Sequence, residues 1–261
     1  HGMTWRLAIW QGEGVPGDRA ATLRDVERVL AQAAEDGAGL VVFPEGFLTG
    51  YHIPGLTADD LADVEDALAA VGKLAADKGL SVVMGTHAWS AEGIRNAAVV
   101  FASSGEEVGR YYKRLLFGGW EKQTFVPGCH PTRFEIDGLC VGVLICYDVE
   151  FPELVRAEAQ AGVDLVVVPT ALMAPHDRIA RQLVPVRSME NQIFLAYANR
   201  TGTEAGLAFV GLSSINGPNG ETLAAAEAAP KLLMADLDLG LLQRERAKNS
   251  YLEDLEGFQT R

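Results

Sequence analysis

The sequence has no long apolar segment. Its longest apolar runs, such as residues 165–168 and 193–198, are far shorter than the roughly 20 residues that a helix needs to span a bilayer. The N-terminal stretch also lacks the basic region followed by a long apolar stretch that is typical of a secretory signal. These absences predict a cytoplasmic protein that has no membrane partner.

Basic residues are scarce. Among 261 residues there are 22 Lys and Arg against 35 Asp and Glu, which gives a formal net charge of −13. A surface that binds phosphate groups is normally basic, so this balance argues against nucleic acid as a partner. Some other ligand, such as a small molecule, is expected.

Cysteine is also rare, with three residues at 129, 140 and 146. Three thiols cannot all pair, and a chain of this length can bury enough apolar surface to fold without disulfides. At least one free thiol is therefore available for chemistry. The five histidines show no metal-ligand spacing, and no glycine-rich loop has the pattern of a nucleotide site, so neither a metal nor a cofactor is predicted.

What the chain does contain is a regular alternation of short β-branched runs and amphipathic helices. Residues 18–36 carry apolar side chains at helical spacing, for example. Two hairpins interrupt this pattern in the middle, with turns at residues 103–106 and at Asp137-Gly138, a strong signal for a two-residue turn. The pattern predicts an α/β fold of mixed sheets covered by helices.

No repeat, low-complexity tract or linker divides the chain. We therefore predict a single domain over residues 3–240, followed by a C-terminal helix and charged tail over residues 241–261. A tail of this kind could be disordered, or it could join an interface between two subunits.

Cys146 stands where an apolar strand, residues 141–145, gives way to a helix start at Phe151-Pro152. This is the carboxyl end of a strand, where α/β proteins place their ligands. The following helix N-terminus would favour a thiolate and lower the thiol pKa below its usual value of about 8.5, and its N–H groups could bind an oxyanion. The alternative is a cysteine that only fills core space.

Glu45 and Lys113 also follow strands. Glu45 comes after the apolar run 41–43, where burial would raise the pKa of its carboxyl and suit it to act as a general base. Lys113 ends a strand after Tyr111-Tyr112. Each residue also has a simpler interpretation: Glu45 as a loop carboxylate in solvent, and Lys113 as a surface charge.

Taken together, these segments resemble the Glu–Lys–Cys triad motifs of the nitrilase superfamily of carbon–nitrogen hydrolases. The resemblance rests on their order and spacing: FPE at 43–45, YKRL at 112–115 and CYD at 146–148. It extends over nearly the whole chain through further matches: Glu121 with FVPG at 125–128, FPE at 151–153, Arg187 with Glu190-Asn191, Asn199-Arg200, and the G-x-S-x-I-x-x-P-x-G pattern at 211–220.

The resemblance implies a fold, an assembly and a set of roles. The fold is a four-layer α-β-β-α sandwich, and the assembly is a homodimer or a higher homo-oligomer. Cys146 would be the nucleophile and Glu45 its base, while Lys113 and the backbone N–H of Tyr147 would hold the oxyanion. Glu121 would orient the substrate or a water molecule. Four residues that follow motif segments could line a small apolar substrate pocket or belong to the core: Tyr51, Trp120, Ala171 and Met173.

The substrate implied is a small amide. Several members of the superfamily that act on carboxylate-bearing amides carry an arginine shortly after CYD, where this chain has Glu150. A carboxylate so close to the nucleophile disfavours an anionic substrate. We therefore expect an amidase that hydrolyses small neutral aliphatic amides to acid and ammonia through a cysteine thioester. Two alternatives stay open, an N-carbamoyl amine amidohydrolase and a catalytically silent small-molecule-binding scaffold, although the complete triad argues against the second.

Overall fold

The computed structural model describes residues 4–260, so positions 3 and 261, the outer bounds of the predicted domain and tail, lie outside the described part. The strands are β1 Thr4–Gln11, β2 Leu40–Val42, β3 Ser81–Ser90, β4 Gly93–Phe101, β5 Glu107–Tyr112, β6 Arg133–Ile136, β7 Leu139–Val143, β8 Leu165–Thr170, β9 Phe194–Asn199, β10 Thr203–Glu204, β11 Leu207–Ala208, β12 Ser214–Asn216, β13 Thr222–Ala225 and β14 Lys231–Asp238. The helices are α1 Arg19–Glu35, α2 Val64–Lys78, α3 Gly118–Thr124, α4 Pro152–Gln160, α5 Val184–Asn191, α6 Leu239–Lys248 and α7 Tyr251–Gln259.

Two six-stranded sheets form the centre of the molecule. The first has the order β14-β1-β2-β3-β4-β5 and the second the order β13-β12-β9-β8-β7-β6. Each has three parallel strands in its middle, β1-β2-β3 and β7-β8-β9, with antiparallel strands on both sides. In both sheets, therefore, the central strands end at one edge.

Side-chain alternation along the strands separates the two faces of the first sheet. In β2, Leu40 and Val42 pack towards the second sheet, while Val41 packs towards α1 and α2. The second sheet is covered on its outer face by α4 and α5, through residues such as Val155 and Val184. The layers are thus helix, sheet, sheet and helix, and the predicted four-layer α-β-β-α sandwich is confirmed.

The local predictions agree closely with the elements observed. The helix predicted over residues 18–36 is α1, with Asp18 as its N-cap. The Asp137-Gly138 turn has φ values of 49° and 83°, as a type I′ hairpin turn requires. The small strands β10 and β11 were not predicted, because two-residue strands carry no detectable periodicity.

The C-terminal region is more regular than predicted. Leu239–Lys248 forms α6 and Tyr251–Gln259 forms α7, so the region predicted as a helix and tail contains two helices. Leu242 is buried, and the side-chain amide of Gln192 donates to the backbone oxygens of Glu245 and Asn249, both at 2.9 Å. These contacts hold the helices against α5. Among residues 4–260, no helix is long and apolar enough to cross a membrane.

Candidate active site

Three charged side chains meet in the interior, between the ends of the strands. Glu45 follows β2, Lys113 directly follows β5, and Glu121 lies on α3. The Lys113 Nζ atom is 2.8 Å from Glu45 Oε1 and 2.8 Å from Glu121 Oε1, and none of the three side chains is more than 1% exposed. The structure therefore brings together three of the predicted site residues around one buried ammonium group.

Glu45 presents one occupied and one free carboxylate oxygen. Its Oε1 accepts hydrogen bonds from Lys113 Nζ at 2.8 Å and from Asn96 Nδ2 at 2.7 Å. Its Oε2 is buried and has no hydrogen-bond partner in the part of the chain that is described. A buried oxygen without a partner is uncommon and calls for an explanation. Here it leaves one atom of the carboxylate available to accept a proton.

Burial raises the pKa of Glu45 and the negative charge of Glu121 adds to this, while Lys113 and Asn96 oppose it. The raised value predicted from the apolar strand is confirmed. Burial by itself would lower the pKa of Lys113. The negative charges of Glu45 and Glu121 together have the larger effect and hold this pKa well above its usual range. The lysine is therefore a fixed positive charge, and the glutamate is a stronger proton acceptor than an exposed carboxylate.

Cys146 begins the short 3₁₀ turn Cys146–Glu150 with φ at 44°, a conformation that non-glycine residues seldom adopt. Burial and the nearby charge of Glu45 raise the pKa of its thiol well above the usual value, although Lys113 and the backbone N–H of Ala171 oppose the shift. The prediction of a lowered thiol pKa is therefore wrong. The 3₁₀ turn separates Cys146 from the N-terminus of α4 at Pro152, and because a helix dipole acts mainly within the first turn, it does not offset the loss of solvent. The resting thiol is neutral and needs a base.

Asp148 lies in the same turn as Cys146 and fixes the position of that turn. Its Oδ2 accepts from the Ile145 N–H at 3.0 Å and from the Tyr111 hydroxyl at 2.6 Å, and its Oδ1 accepts from the Leu115 N–H at 2.9 Å. These bonds link the turn that carries Cys146 to the segment that carries the lysine. The sequence contained this residue only as part of the CYD motif, and nothing in its spacing indicated these contacts.

Two contacts hold the backbone around Glu45. The buried Arg200 guanidinium donates from Nη1 to the backbone oxygens of Glu45 at 3.1 Å and Gly46 at 3.0 Å. Behind the loop, Gly85 on β3 passes so close that an added Cβ would lie 1.9 Å from the Pro44 oxygen. The loop therefore rests directly on the sheet, and the carboxylate has little freedom to move.

A cavity of about 80 Å³ opens beside the thiol. Of the residues predicted to line it, Tyr51, Ala171 and Met173 do so, as do Cys146, Tyr147, Glu121 and Glu150. Leu172, between two of the predicted residues, also lines the cavity, as do Phe117 and His176, which no sequence pattern indicated. Trp120 does not line the cavity. It packs edge-on against Tyr51, with the ring centroids 5.7 Å apart, and supports that side chain from behind.

Tyr51 links the cavity wall to the charged cluster. Its hydroxyl donates to Glu121 Oε2 at 2.6 Å, and its backbone oxygen accepts from His87 Nε2 at 2.6 Å. Burial lowers the pKa of His87 to about 3, so this ring is neutral and serves as a hydrogen-bond donor. Among residues 4–260, no group of three His, Cys, Asp or Glu side chains is arranged to hold a metal ion.

Comparison with known proteins places this geometry in context. A model of the carbon–nitrogen hydrolase family matches residues 6–247. A hydrolase encoded in the pqqF 5′ region of Pseudomonas protegens is 37% identical over 255 residues, covering 96% of this chain and 89% of that protein. An (R)-stereoselective amidase of a Pseudomonas species is 31% identical over 266 residues, covering 98% and 94%.

Among solved structures, an amidase from Nesterenkonia sp. superposes with a TM-score of 0.85 at 37% identity, covering 95% of each chain. A cysteine-to-alanine mutant of that amidase has been solved in complex with butyramide. Another of its mutants shows covalent addition of the acetamide moiety of fluoroacetamide at the active-site cysteine.

Proposed function

The chain belongs to the carbon–nitrogen hydrolase family and is an amidase of the nitrilase superfamily, and we propose that it hydrolyses small neutral aliphatic amides to the carboxylic acid and ammonia. The observation that carries the proposal is the cavity of about 80 Å³ beside Cys146, next to a buried glutamate with one free oxygen. Both features suit an amide with a short acyl chain.

The reaction starts with a proton transfer. The free Oε2 of Glu45 takes the proton of the Cys146 thiol, and the thiolate sulfur attacks the amide carbonyl carbon. The ammonium group of Lys113 and the backbone N–H of Tyr147 donate to the oxygen as it becomes negative. Because the thiol is neutral at rest, thiolate forms only as this base accepts its proton.

The carbon–nitrogen bond then breaks. Glu45 returns its proton to the amide nitrogen, ammonia leaves, and the acyl group remains on Cys146 as a thioester. Water enters, gives a proton to Glu45 and attacks the thioester carbon, with Glu121 orienting the water or the substrate. The thiolate leaves and takes the proton back from Glu45, which releases the acid and restores the resting site.

Cavity size and charge support the choice of substrate. At about 80 Å³ the cavity is well below the roughly 300 Å³ of a site for a drug-sized ligand. Three carboxyl groups, those of Glu45, Glu121 and Glu150, lie at the site with Lys113 as the buried cation between the first two. A substrate carboxylate would add charge of the same sign. The butyramide complex of the Nesterenkonia amidase is consistent with a short aliphatic chain.

A second candidate is the hydrolysis of an N-carbamoyl amine. The observation that favours it is the carboxyl group of Glu150 in the cavity wall, which would suit a substrate with a positively charged end. This reaction releases carbon dioxide together with ammonia, whereas hydrolysis of a simple amide releases ammonia alone.

The test is ammonia release from acetamide, propionamide and butyramide. Cys146→Ala should reduce it to background, while Cys129→Ala, which removes an exposed thiol, should leave it unchanged. No release by the folded wild-type protein would refute the aliphatic-amide proposal, and carbon dioxide release from carbamoyl amines would then support the second candidate.

The assembly and location are part of the proposal. The expected partner is a second copy of the chain in a homodimer or higher oligomer, with the C-terminal region from residue 241 at the interface. The supporting observation is the ring of Phe258 on α7, which is 73% exposed. The free thiols of Cys129, Cys140 and Cys146 fit a reducing compartment such as the cytoplasm.

A further inference from the structure

Glu150 ends the turn that Cys146 begins, and its backbone is held firmly. Arg187 on α5 donates from Nη2 to the Glu150 backbone oxygen at 2.9 Å and from Nε to the Val149 backbone oxygen at 3.0 Å. The Glu150 side chain, by contrast, accepts no hydrogen bond from any residue between 4 and 260, although it belongs to the cavity wall. A fixed backbone with a partly exposed carboxylate in the cavity wall leaves that carboxylate free to contact a ligand.

Charged groups on both sides act on the Glu150 carboxylate. Burial raises the pKa of Glu150, and the charges of Lys113 and Arg187 lower it. The geometric observation is that Glu150 belongs to the wall of the same cavity as Cys146. The Lys113 ammonium is already shared between Glu45 and Glu121, and it is not bonded to the third carboxylate.

We propose that Glu150 determines substrate specificity, by accepting a hydrogen bond from an ammonium or other donor group at the far end of the acyl chain and by excluding acyl chains that end in a carboxylate. The inference rests on the proposed amidase reaction and changes its preferred substrate class from neutral aliphatic amides to short amides that carry a neutral or cationic hydrogen-bond donor. The preferred substrate is a short amide whose acyl chain ends in a donor group.

The walls on either side fit such a chain. Phe117 and Met173 are apolar and suit the methylene groups, while Glu150 supplies the polar contact that the distal group needs. A polar group that enters a partly buried wall without a partner binds poorly, and a charge-assisted hydrogen bond restores that binding. Polar contacts of this kind give larger discrimination between substrates than the fit of a methyl group.

Three amides of similar size separate the preference for a terminal donor group from the exclusion of a terminal carboxylate. They are butyramide, with a terminal methyl group, β-alaninamide, with an ammonium group, and malonamate, with a carboxylate. Their kcat/KM values would be measured at about pH 7 for the wild type and for Glu150→Gln, which keeps the shape and removes the charge. Glu153→Gln is the matched control, because it removes an exposed charge three residues away.

In Glu150→Gln we expect the ratio of β-alaninamide to butyramide to fall about tenfold, and the ratio of malonamate to butyramide to rise about tenfold, since a charge-assisted hydrogen bond is exchanged for a neutral one. Glu153→Gln should leave both ratios within about twofold. Ratios in Glu150→Gln that also stay within twofold of the wild type would overturn the proposal.

Failure of the proposed function has a different signature. If the wild type does not hydrolyse butyramide, the neutral-amide proposal fails, while the ratio of β-alaninamide to malonamate still tests Glu150. If Glu150→Gln does not fold, the wild-type enzyme alone provides the test: its kcat/KM should be higher for β-alaninamide than for malonamate, and equal or reversed values would overturn the inference.

Discussion

Replacing Lys113 by Met tests whether the charged cluster has the energetics described. The substitution keeps an unbranched side chain of similar length and removes the ammonium group that lies 2.8 Å from Glu45 and 2.8 Å from Glu121. Two buried carboxylates then lose their counter-ion. Breaking a buried ion pair by removing one partner costs about 3–5 kcal/mol, a large part of the stability of a typical domain. Amidase activity should disappear as well.

The loss of stability should depend on pH. The pKa of Glu45 is already raised in the folded protein, and Lys113 is one of the groups that lower it, so the variant should raise it further. A carboxyl whose folded pKa exceeds its unfolded value of about 4.3 is stabilising below that value, and this stability is lost as pH rises towards the folded pKa. Each pH unit in this window costs about 1.4 kcal/mol, so Lys113→Met should be less destabilised at pH 5.5 than at pH 8.

Urea unfolding of wild type and Lys113→Met at pH 5.5, 7 and 8 measures the effect, with activity assayed in parallel. Lys122→Met is the control, because this lysine lies on the same helix as Glu121 but is exposed, and its removal should change stability by less than about 0.5 kcal/mol at every pH. A destabilisation by Lys113→Met below about 1 kcal/mol, or one that is the same at all three pH values, would refute the reasoning.

Two further substitutions test how the surroundings of Glu45 control its pKa and the position of its loop. Asn96→Leu removes a hydrogen bond that lowers the pKa of Glu45. The acidic limb of the kcat/KM profile should therefore move about one pH unit higher. A limb that stays in place or moves to lower pH would contradict this. Gly85→Ala places a methyl group 1.9 Å from the Pro44 oxygen and should destabilise the protein by about 3 kcal/mol or more in thermal unfolding, whereas Gly257→Ala, with open space around it on α7, should be neutral or stabilising. Equal effects of the two alanines would show that the loop can move away from the sheet.

The sequence alone was sufficient for the fold class and for the residues that meet in the cluster. Strand and helix periods are local, so the alternation and the hairpin turns could be predicted from neighbouring residues. Glu45, Lys113 and Cys146 could be selected because each follows a strand, and such positions gather at one edge of a sheet. The motif resemblance then supplied the second glutamate.

The tertiary structure decided what depends on packing. The thiol pKa of Cys146 was predicted in the wrong direction, because burial, which no local pattern measures, raises it, and the N-terminus of α4 lies beyond the turn that contains the thiol. Asn96 stands before an apolar run like many strand residues, and only the pairing of β4 with β3, the strand beside β2, brings it next to Glu45. Phe117 and His176 come from segments distant in sequence and meet at the cavity. The identity of chemical groups can be recognised along the chain, but their ionisation and neighbours depend on which surfaces the fold removes from water.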